Sequence, residues 1–183
     1  TLKLVYYGTG LGGKTTNLKV IYSQLSPQTR GELVSLATET ERTLFFDFMP
    51  LDLGLINGFK ARISMYTVPG QEEYNKSRKL ILRDVDGIVF VADSSVVRSE
   101  ENQASLKNMM DNLKEYNLTL QDIPWVLQYN KRDISNMMTV ERMESELNKM
   151  GVPAFEAVAL EGKGVFATLK AITKMMLNRA KGE

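Results

Sequence analysis

The feature that most constrains the fold of this chain is a glycine-rich segment near its start. Residues 8–15 have the sequence Gly-Thr-Gly-Leu-Gly-Gly-Lys-Thr, which matches the pattern G-x-x-x-x-G-K-S/T in full. The apolar residues 2–7 predict a strand before this segment, and the residues up to about 25 predict a helix after it. A strand, a glycine-rich turn and a helix in this order indicate an α/β protein with a phosphate-binding loop.

Each residue type in this loop suits an anion. Glycines let the backbone wrap around a phosphate with its N–H groups pointing inward, and the N-terminus of the next helix adds positive potential. Lys14 can reach the β- and γ-phosphates of a nucleotide, and the Thr15 hydroxyl can ligate Mg²⁺. The predicted phosphate-binding residues of the loop are Gly8, Gly10, Leu11, Gly12, Gly13, Lys14, Thr15 and Thr16.

Downstream of the loop, short β-rich runs alternate with amphipathic helical runs, which predicts βαβ units. Asn57-Gly58 is a strong hairpin signal, so we expect the strands on either side of it to be antiparallel. Further strands are predicted at 44–51, 60–68, 87–92, 125–130 and 154–159, a loop at 26–41, and helices at about 100–116, 139–150 and 164–180.

These elements predict a P-loop NTPase of the α/β class. We expect a six-stranded, mainly parallel sheet with one antiparallel edge strand and helices on both faces, in one domain over residues 1–183. Because the chain starts at Thr1 on the edge of the first strand, we also expect a short N-terminal tail ahead of it. Ligands of such sheets bind at the carboxyl ends of the strands.

Composition excludes several kinds of chemistry and of partner. The 23 Lys and Arg and 22 Asp and Glu are interspersed, and a net charge of +1 predicts no binding to nucleic acid. Since cysteine is absent, we expect no disulfide, no thiolate metal site and no lipid anchor on a thiol. Histidine is also absent, which leaves Lys, Arg, Asp, Glu, Thr, Gln and the backbone for any chemistry.

A second motif indicates which base is bound. Residues 130–133, Asn-Lys-Arg-Asp, follow the predicted strand at 125–130 and have the pattern N-K-x-D with which Ras-like GTPases recognise guanine. The Asp133 carboxylate would accept hydrogen bonds from two N–H groups of guanine, whereas adenine would leave it unpaired. Lys131 would lie along the base, and Asn130 would brace the loops. The alternative is a polar turn that caps the next helix.

Two more segments lie where Ras-like proteins contact the nucleotide. Ala159 and Leu160 follow the last strand, at the place of a Ser-Ala-Lys triplet whose contact with guanine is chiefly a backbone N–H. Gly70 and Gln71 end a segment that starts at Thr67 and corresponds to D-x-x-G-Q. Gly70 would donate a backbone N–H to the γ-phosphate, and Gln71 would orient the attacking water. Thr67 stands where an aspartate usually holds Mg²⁺ through water.

Together these segments resemble the MglA family of bacterial Ras-like GTPases, which is known from gliding motility and cell polarity. The resemblance covers essentially the whole chain, with one departure at Gly12, where the family can carry Cys. The matching stretches are Tyr-Tyr-Gly at 6–8, Thr-Glu-Thr-Glu-Arg-Thr-Leu-Phe-Phe-Asp-Phe at 38–48, Tyr-Thr-Val-Pro-Gly-Gln at 66–71, and the residues at 77–82, 128–133 and 164–166.

The resemblance implies roles for the segment at 38–48. Thr43 would bind Mg²⁺ and the γ-phosphate, and Arg42 would act in catalysis as an arginine finger supplied by the same chain. From the residues alone, Arg42 is also explained as an exposed arginine at the start of a strand, and Thr38 and Thr40 are rival metal ligands. Asp47 follows on the neighbouring strand, and we hypothesise that it substitutes electrostatically for the aspartate missing at Thr67; the alternative is an aspartate that faces the surface or the hairpin.

The resemblance also implies partners and a place in the cell. We expect an activating protein similar to MglB, a Roadblock-fold dimer, and effectors that bind the GTP state. The chain itself would be a monomer in the bacterial cytoplasm, recruited to a cell pole. The predicted function is a Mg²⁺-dependent GTPase switch that is slow without its activator. The alternatives are a nucleotide-gated binding module with negligible hydrolysis and an ATP-dependent enzyme, against which the N-K-x-D motif argues.

Base specificity is predicted to depend on Asp133. In Asp133→Asn the carboxylate becomes an amide, so GTP affinity should fall roughly 10²-fold or more and preference should move towards xanthine nucleotides. Competition between GTP and XTP for the purified variant measures both effects. Unchanged GTP affinity would remove the assignment of residues 130–133 to the base.

Overall fold

The computed structural model describes residues 1–36 and 46–182. Within them, seven strands form a single sheet in the order β2-β3-β4-β1-β5-β6-β7. The strands are β1 (Leu2–Gly8), β2 (Val34–Leu36), β3 (Phe46–Ile56), β4 (Phe59–Thr67), β5 (Gly87–Asp93), β6 (Trp125–Asn130) and β7 (Ala154–Glu156). The strands from β4 to β7 in this order are parallel, as predicted.

In the part of the chain that the structure describes, five α-helices cover the two faces of the sheet. They are α1 (Lys14–Gln24), α2 (Asn75–Leu82), α3 (Ser99–Lys114), α4 (Val140–Leu147) and α5 (Val165–Ala180). The core side chains of α1 and α5 pack on one face of the sheet, and those of α2, α3 and α4 pack on the other. Among the described residues, no helix is both long and apolar enough to cross a membrane.

The alternation of side chains along β1 explains why the central strands are apolar throughout. Leu4 and Tyr6 point to the face that carries α1 and α5, and Val5 and Tyr7 point to the opposite face. All four residues are fully buried. A strand covered on both faces has no solvent side on which a polar residue would be favourable, so a continuous apolar run results.

In the antiparallel part of the sheet, the position of the hairpin turn was predicted correctly, but the number of strands was not. Asn57 and Gly58 have φ angles of 51° and 81°, and they connect β3 and β4 as an antiparallel hairpin. The prediction of six strands was wrong by one, because β2 lies inside the segment 26–41 that was expected to be a loop. β2 is three residues long and antiparallel to β3. Such a short strand is stabilised by its neighbour and leaves no periodicity in the sequence.

Helix α2 is the other element that the sequence pattern did not predict. It has eight residues and follows a single 3-10 turn at Glu72–Tyr74. The remaining predicted helices are confirmed to within three residues, and α4 ends at Leu147 rather than at 150. The carboxyl ends of β1, β4, β5 and β6 meet at one edge of the sheet, and the motif residues follow these ends.

Gly8 is a position where the fold tolerates no side chain. Its φ is +143°, and a Cβ there would lie 2.1 Å from the Val91 carbonyl oxygen of the adjacent strand β5. Gly8→Ala should therefore lower the free energy of unfolding by about 3 kcal/mol or more, measured from urea denaturation.

Gly58→Ala provides a matched control for this substitution. Gly58 has φ +81°, but a Cβ there would meet no atom within 4 Å, so only the backbone strain of about 1–2 kcal/mol applies. An equal or smaller loss of stability in Gly8→Ala than in Gly58→Ala would contradict the packing described here.

Candidate nucleotide-binding site

A cavity of about 1440 Å³ opens at this edge of the sheet. It brings together the phosphate loop, the end of β4 and the turn after β6, as expected of a ligand site on parallel strands. Every predicted site residue that the structure describes lines the cavity: Gly8, Gly10, Leu11, Gly12, Gly13, Lys14, Thr15, Thr16, Gly70, Gln71, Asn130, Lys131, Asp133, Ala159 and Leu160.

Two predicted site residues lie outside the described residues. Arg42, the expected arginine finger, and Thr43, the expected ligand of Mg²⁺ and the γ-phosphate, both belong to the segment 37–45. The rival metal ligands Thr38 and Thr40 lie in the same segment. Their assignments remain predictions.

Lys14 is held inside the phosphate loop. Its ammonium group donates hydrogen bonds to the carbonyl oxygens of Gly8 at 3.0 Å and Thr9 at 2.6 Å, and the residue is only 6% exposed. Burial and, to a smaller extent, the nearby guanidinium groups of Arg78 and Arg98 lower the pKa of Lys14 to about 7. Three cations at one end of the cavity form a site whose charge favours a phosphate group.

The segment after β4 lies against the phosphate loop. A Cβ on Gly70 would lie 2.1 Å from the Gly10 nitrogen and 2.4 Å from the Gly10 Cα. Only glycine permits this approach, so the backbone N–H of Gly70 is placed beside the loop that carries Lys14. Gln71 follows at the mouth of the cavity, where its side chain is exposed.

Asn130 connects three loops, as the N-K-x-D motif predicts. The side-chain amide donates to the Gly12 carbonyl oxygen at 3.0 Å, and its oxygen accepts from the Ala159 N–H at 2.9 Å. Asn130 is 3% exposed, and its amide would lie 2.0 Å from a Cβ on Gly13. Because residue 13 is glycine, there is room for the Asn130 amide. Asn130 in turn connects the phosphate loop to the predicted guanine loops by hydrogen bonds.

Asp93, at the end of β5, is a buried carboxylate that holds Lys131. Lys131 Nζ donates to Asp93 Oδ2 at 2.8 Å, and the Ser95 N–H donates to Asp93 Oδ1 at 2.9 Å. Arg98 Nε lies 3.7 Å from the same Oδ2, while Arg98 Nη2 donates to the Gly10 carbonyl oxygen. Asp93 therefore links the lysine of the predicted base site to the phosphate loop.

A second buried carboxylate, that of Asp47 on β3, lies beside the Thr15 hydroxyl group. The Thr15 hydroxyl donates to Asp47 Oδ2 at 2.5 Å, and the Thr67 hydroxyl donates to the same oxygen at 2.8 Å. The Ser35 hydroxyl donates to Asp47 Oδ1 at 2.6 Å. The Asp47 N–H in turn donates to the Thr67 hydroxyl oxygen at 2.9 Å. Thr67 stands where Ras-like proteins usually have an aspartate. It therefore forms a hydrogen bond with Asp47, the aspartate beside Thr15.

Three residues in or beside the cavity were not found from the sequence. Asp93, which lies beside it and holds Lys131, could have been found as the polar residue at the carboxyl end of an apolar central strand. Arg78 and Arg98 could not, because they reach the cavity from α2 and from the turn before α3 through tertiary packing.

Comparison with known proteins identifies a family and several relatives. The sequence matches the Ras family over residues 3–178. It is 57% identical to mutual gliding-motility protein MglA of Myxococcus xanthus over 179 residues, which cover 98% of this chain and 92% of that protein. It is 22% identical to human ADP-ribosylation factor-related protein 1, over 95% of this chain and 84% of that protein. Human Ras-related protein Rab-26 is 27% identical, over 68% of this chain and 48% of its own length.

The link between Asp93 and Lys131 is predicted to support nucleotide binding. In Asp93→Asn one carboxylate oxygen becomes an NH₂ group that cannot accept from Lys131, so affinity for GDP should fall roughly tenfold. Titration with a fluorescent GDP analogue measures the change.

Asp111→Asn is the control, because Asp111 also pairs with two lysines, Lys107 at 2.9 Å and Lys114 at 3.8 Å, but on the exposed surface of α3. Equal affinities in the two variants would mean that Asp93 contributes nothing beyond a surface ion pair.

Proposed function

The chain belongs to the Ras family, and on this premise we propose that it is a Mg²⁺-dependent GTPase whose hydrolysis of GTP switches the binding of effectors. Its similarity to MglA supports the general activity, that of a GTP-binding switch protein. The observation that carries the finer proposal is the convergence of Lys14, Gly70 and the turn at 130–133 on one cavity. One nucleotide in this cavity can therefore contact the phosphate loop, the backbone at Gly70 and the turn that we propose recognises the base.

The proposed reaction requires little covalent chemistry from the protein. A water adds to the γ-phosphorus in line with the bond to the β–γ bridging oxygen, that bond breaks, and GDP and inorganic phosphate are the products. Gln71 orients the water, the Gly70 N–H binds a γ-phosphate oxygen, and the Lys14 ammonium group neutralises charge on the β- and γ-phosphates. No covalent intermediate forms on the chain.

The residues around Thr15 fit Mg²⁺. The Thr15 hydroxyl and the Asp47 carboxylate are hard oxygen donors that lie 2.5 Å apart. Among the described residues, no group of three acidic side chains forms a metal site. Mg²⁺ in nucleotide sites is usually held by one or two protein oxygens and by phosphates, which such a site permits. Thr15 and Asp47 would hold the ion from the protein side, and it would neutralise charge on the phosphate groups when bound.

We propose that Asp47 replaces the aspartate that Thr67 displaces. Its carboxylate lines the cavity beside the Thr15 hydroxyl, and the hydrogen bond from Thr67 fixes the direction in which it points. Thr67 then acts through Asp47 instead of through the ion. Thr43 remains a proposed protein ligand of Mg²⁺, together with Thr15.

The similarity to MglA supports two further parts of the proposal. The process that the chain serves is bacterial motility or polarity, with the protein in the cytoplasm and recruited to a cell pole. Its activator is a Roadblock-fold dimer similar to MglB, which orders the segment that carries Arg42. Arg42 then stabilises the charge that develops between the β- and γ-phosphates.

Asp47→Asn should raise the Mg²⁺ concentration that half-maximal GTP binding requires by roughly tenfold or more, because the charge beside Thr15 is removed. Mg²⁺ titrations with a fluorescent GTP analogue measure this shift. Asp52→Asn is the control on the same strand, since Asp52 pairs with Arg62 at 3.8 Å and does not line the cavity. Equal Mg²⁺ requirements in both variants would contradict the role of Asp47.

Single-turnover hydrolysis of GTP, with and without a Roadblock-type partner, tests the proposed function. Wild type should be slow alone and accelerated by the partner, and Gln71→Leu and Arg42→Ala should each lose roughly 10³-fold or more of the stimulated rate. Their affinity for GTP should change little. Stimulation that survives in Arg42→Ala but fails when a partner arginine is replaced would contradict the finger from the same chain. Absence of any turnover would favour the nucleotide-gated binding module.

A further inference from the structure

Arg78 of α2 is a buried cation whose hydrogen-bond acceptors are uncharged. The residue is 6% exposed. Its Nη1 donates to the carbonyl oxygens of Pro69, at 3.0 Å, and Gln71, and its Nη2 donates to the carbonyl oxygen of Glu72 at 3.4 Å. One guanidinium group therefore holds three carbonyl groups of the segment 69–72, which contains Gln71.

The other side of Arg78 is anchored on α3. Its Nε donates to Asn108 Oδ1 at 2.9 Å, and the same oxygen accepts from the Tyr7 hydroxyl and from Asn112 Nδ2 at 3.2 Å. The Asn108 amide group donates to Asn75 Oδ1 at 2.8 Å. Because a guanidinium group only donates, Asn108 must turn its oxygen towards Arg78, which fixes the orientation of the amide.

Tyr7 connects this network to the phosphate loop. It is fully buried at the end of β1, directly before the loop begins, and its hydroxyl accepts from Asn112 Nδ2 at 3.0 Å while it donates to Asn108. Burial raises the pKa of Tyr7 to about 12, so the hydroxyl keeps its proton at any physiological pH. A continuous set of hydrogen bonds therefore connects Tyr7, at the start of the phosphate loop, through Asn108 and Arg78 to the backbone at 69–72.

We infer that Arg78 is a positioning residue for Gln71, held in place by Tyr7 and Asn108, and that it keeps the segment 69–72 in register with the phosphate loop. The inference rests on the proposed function, in which Gln71 orients the attacking water. Such a side chain needs a fixed backbone, since a misplacement of about 1 Å costs roughly 10²-fold in rate. The planar fork of arginine suits several acceptors at fixed angles, whereas the ammonium group of lysine does not.

Arg78→Lys keeps the charge but removes the fork. Single-turnover hydrolysis of GTP should fall roughly 10- to 100-fold, whereas affinity for GDP should fall by a much smaller factor, because lysine keeps the positive charge at this end of the cavity and GDP binding does not depend on Gln71. A parallel fall in GDP affinity and hydrolysis would overturn the inference, because it would indicate general damage to the site.

Tyr7→Phe removes only the hydroxyl that anchors Asn108. It should also slow hydrolysis, roughly three- to tenfold, because the hydrogen bonds of this hydroxyl with Asn108 and Asn112 are lost. Tyr116→Phe is the matched control, since the Tyr116 hydroxyl also reaches α2, at the Lys79 carbonyl oxygen 2.6 Å away, but not the segment 69–72. Equal rates in the two variants would overturn the inference.

A double-mutant cycle with Gln71→Leu tests whether Arg78 acts through Gln71. In the Gln71→Leu background, Arg78→Lys should cause no further loss of hydrolysis, because the residue that it positions is already gone. A full 10- to 100-fold additional loss would show that Arg78 acts independently and would overturn the inference.

Amide hydrogen exchange separates failure of this inference from failure of the proposed function. The amides of residues 70–74 should exchange faster in Arg78→Lys and in Tyr7→Phe than in wild type and Tyr116→Phe, with exchange in α5 unchanged. This result would support the positioning role even if wild type hydrolysed no GTP, in which case the proposed function alone would fail. Unchanged exchange at 70–74 would overturn the inference whatever the rate of hydrolysis.

Discussion

Close approach of glycine backbones is the constraint on which the rest of this site depends. Gly8 lies against the Val91 carbonyl group, Gly70 lies against Gly10, and Gly13 lies against the Asn130 amide, each at a distance that excludes a Cβ. These three contacts bring the phosphate loop, the segment after β4 and the N-K-x-D turn to one cavity. Without these contacts the three loops would lie apart, and their side chains would not face one cavity.

Electrostatics then decides what the cavity binds. Lys14, Arg78 and Arg98 lie at the phosphate loop, and the hydrogen bonds of Lys14 and Arg78 go to uncharged oxygens. The carboxylates of Asp47 and Asp93 lie to either side, one beside Thr15 and one on Lys131. Buried cations with uncharged acceptors favour an anion in the cavity, and Asp47 adds an oxygen donor at the place where we propose that Mg²⁺ binds.

The sequence predicted most of the fold because its signals were local. A motif of eight residues, an Asn-Gly turn and an apolar central strand specified the phosphate loop, the hairpin and the parallel part of the sheet. Strand β2 and helix α2 escaped because both are short and are stabilised mainly by their neighbours. The same distinction holds in the site, where the motif residues were found while Arg78 and Arg98, which reach it only through packing, were not.

The central claim is that this cavity binds a guanine nucleotide. Its most direct test is the melting temperature of the nucleotide-free protein in Mg²⁺ with GDP or with ADP at equal concentration. A ligand at about 100 times its dissociation constant adds about 2.7 kcal/mol of stability, so GDP should raise the melting temperature by roughly 5–10 °C. ADP should leave it unchanged within error. Equal stabilisation by ADP, or none by GDP, would contradict the account.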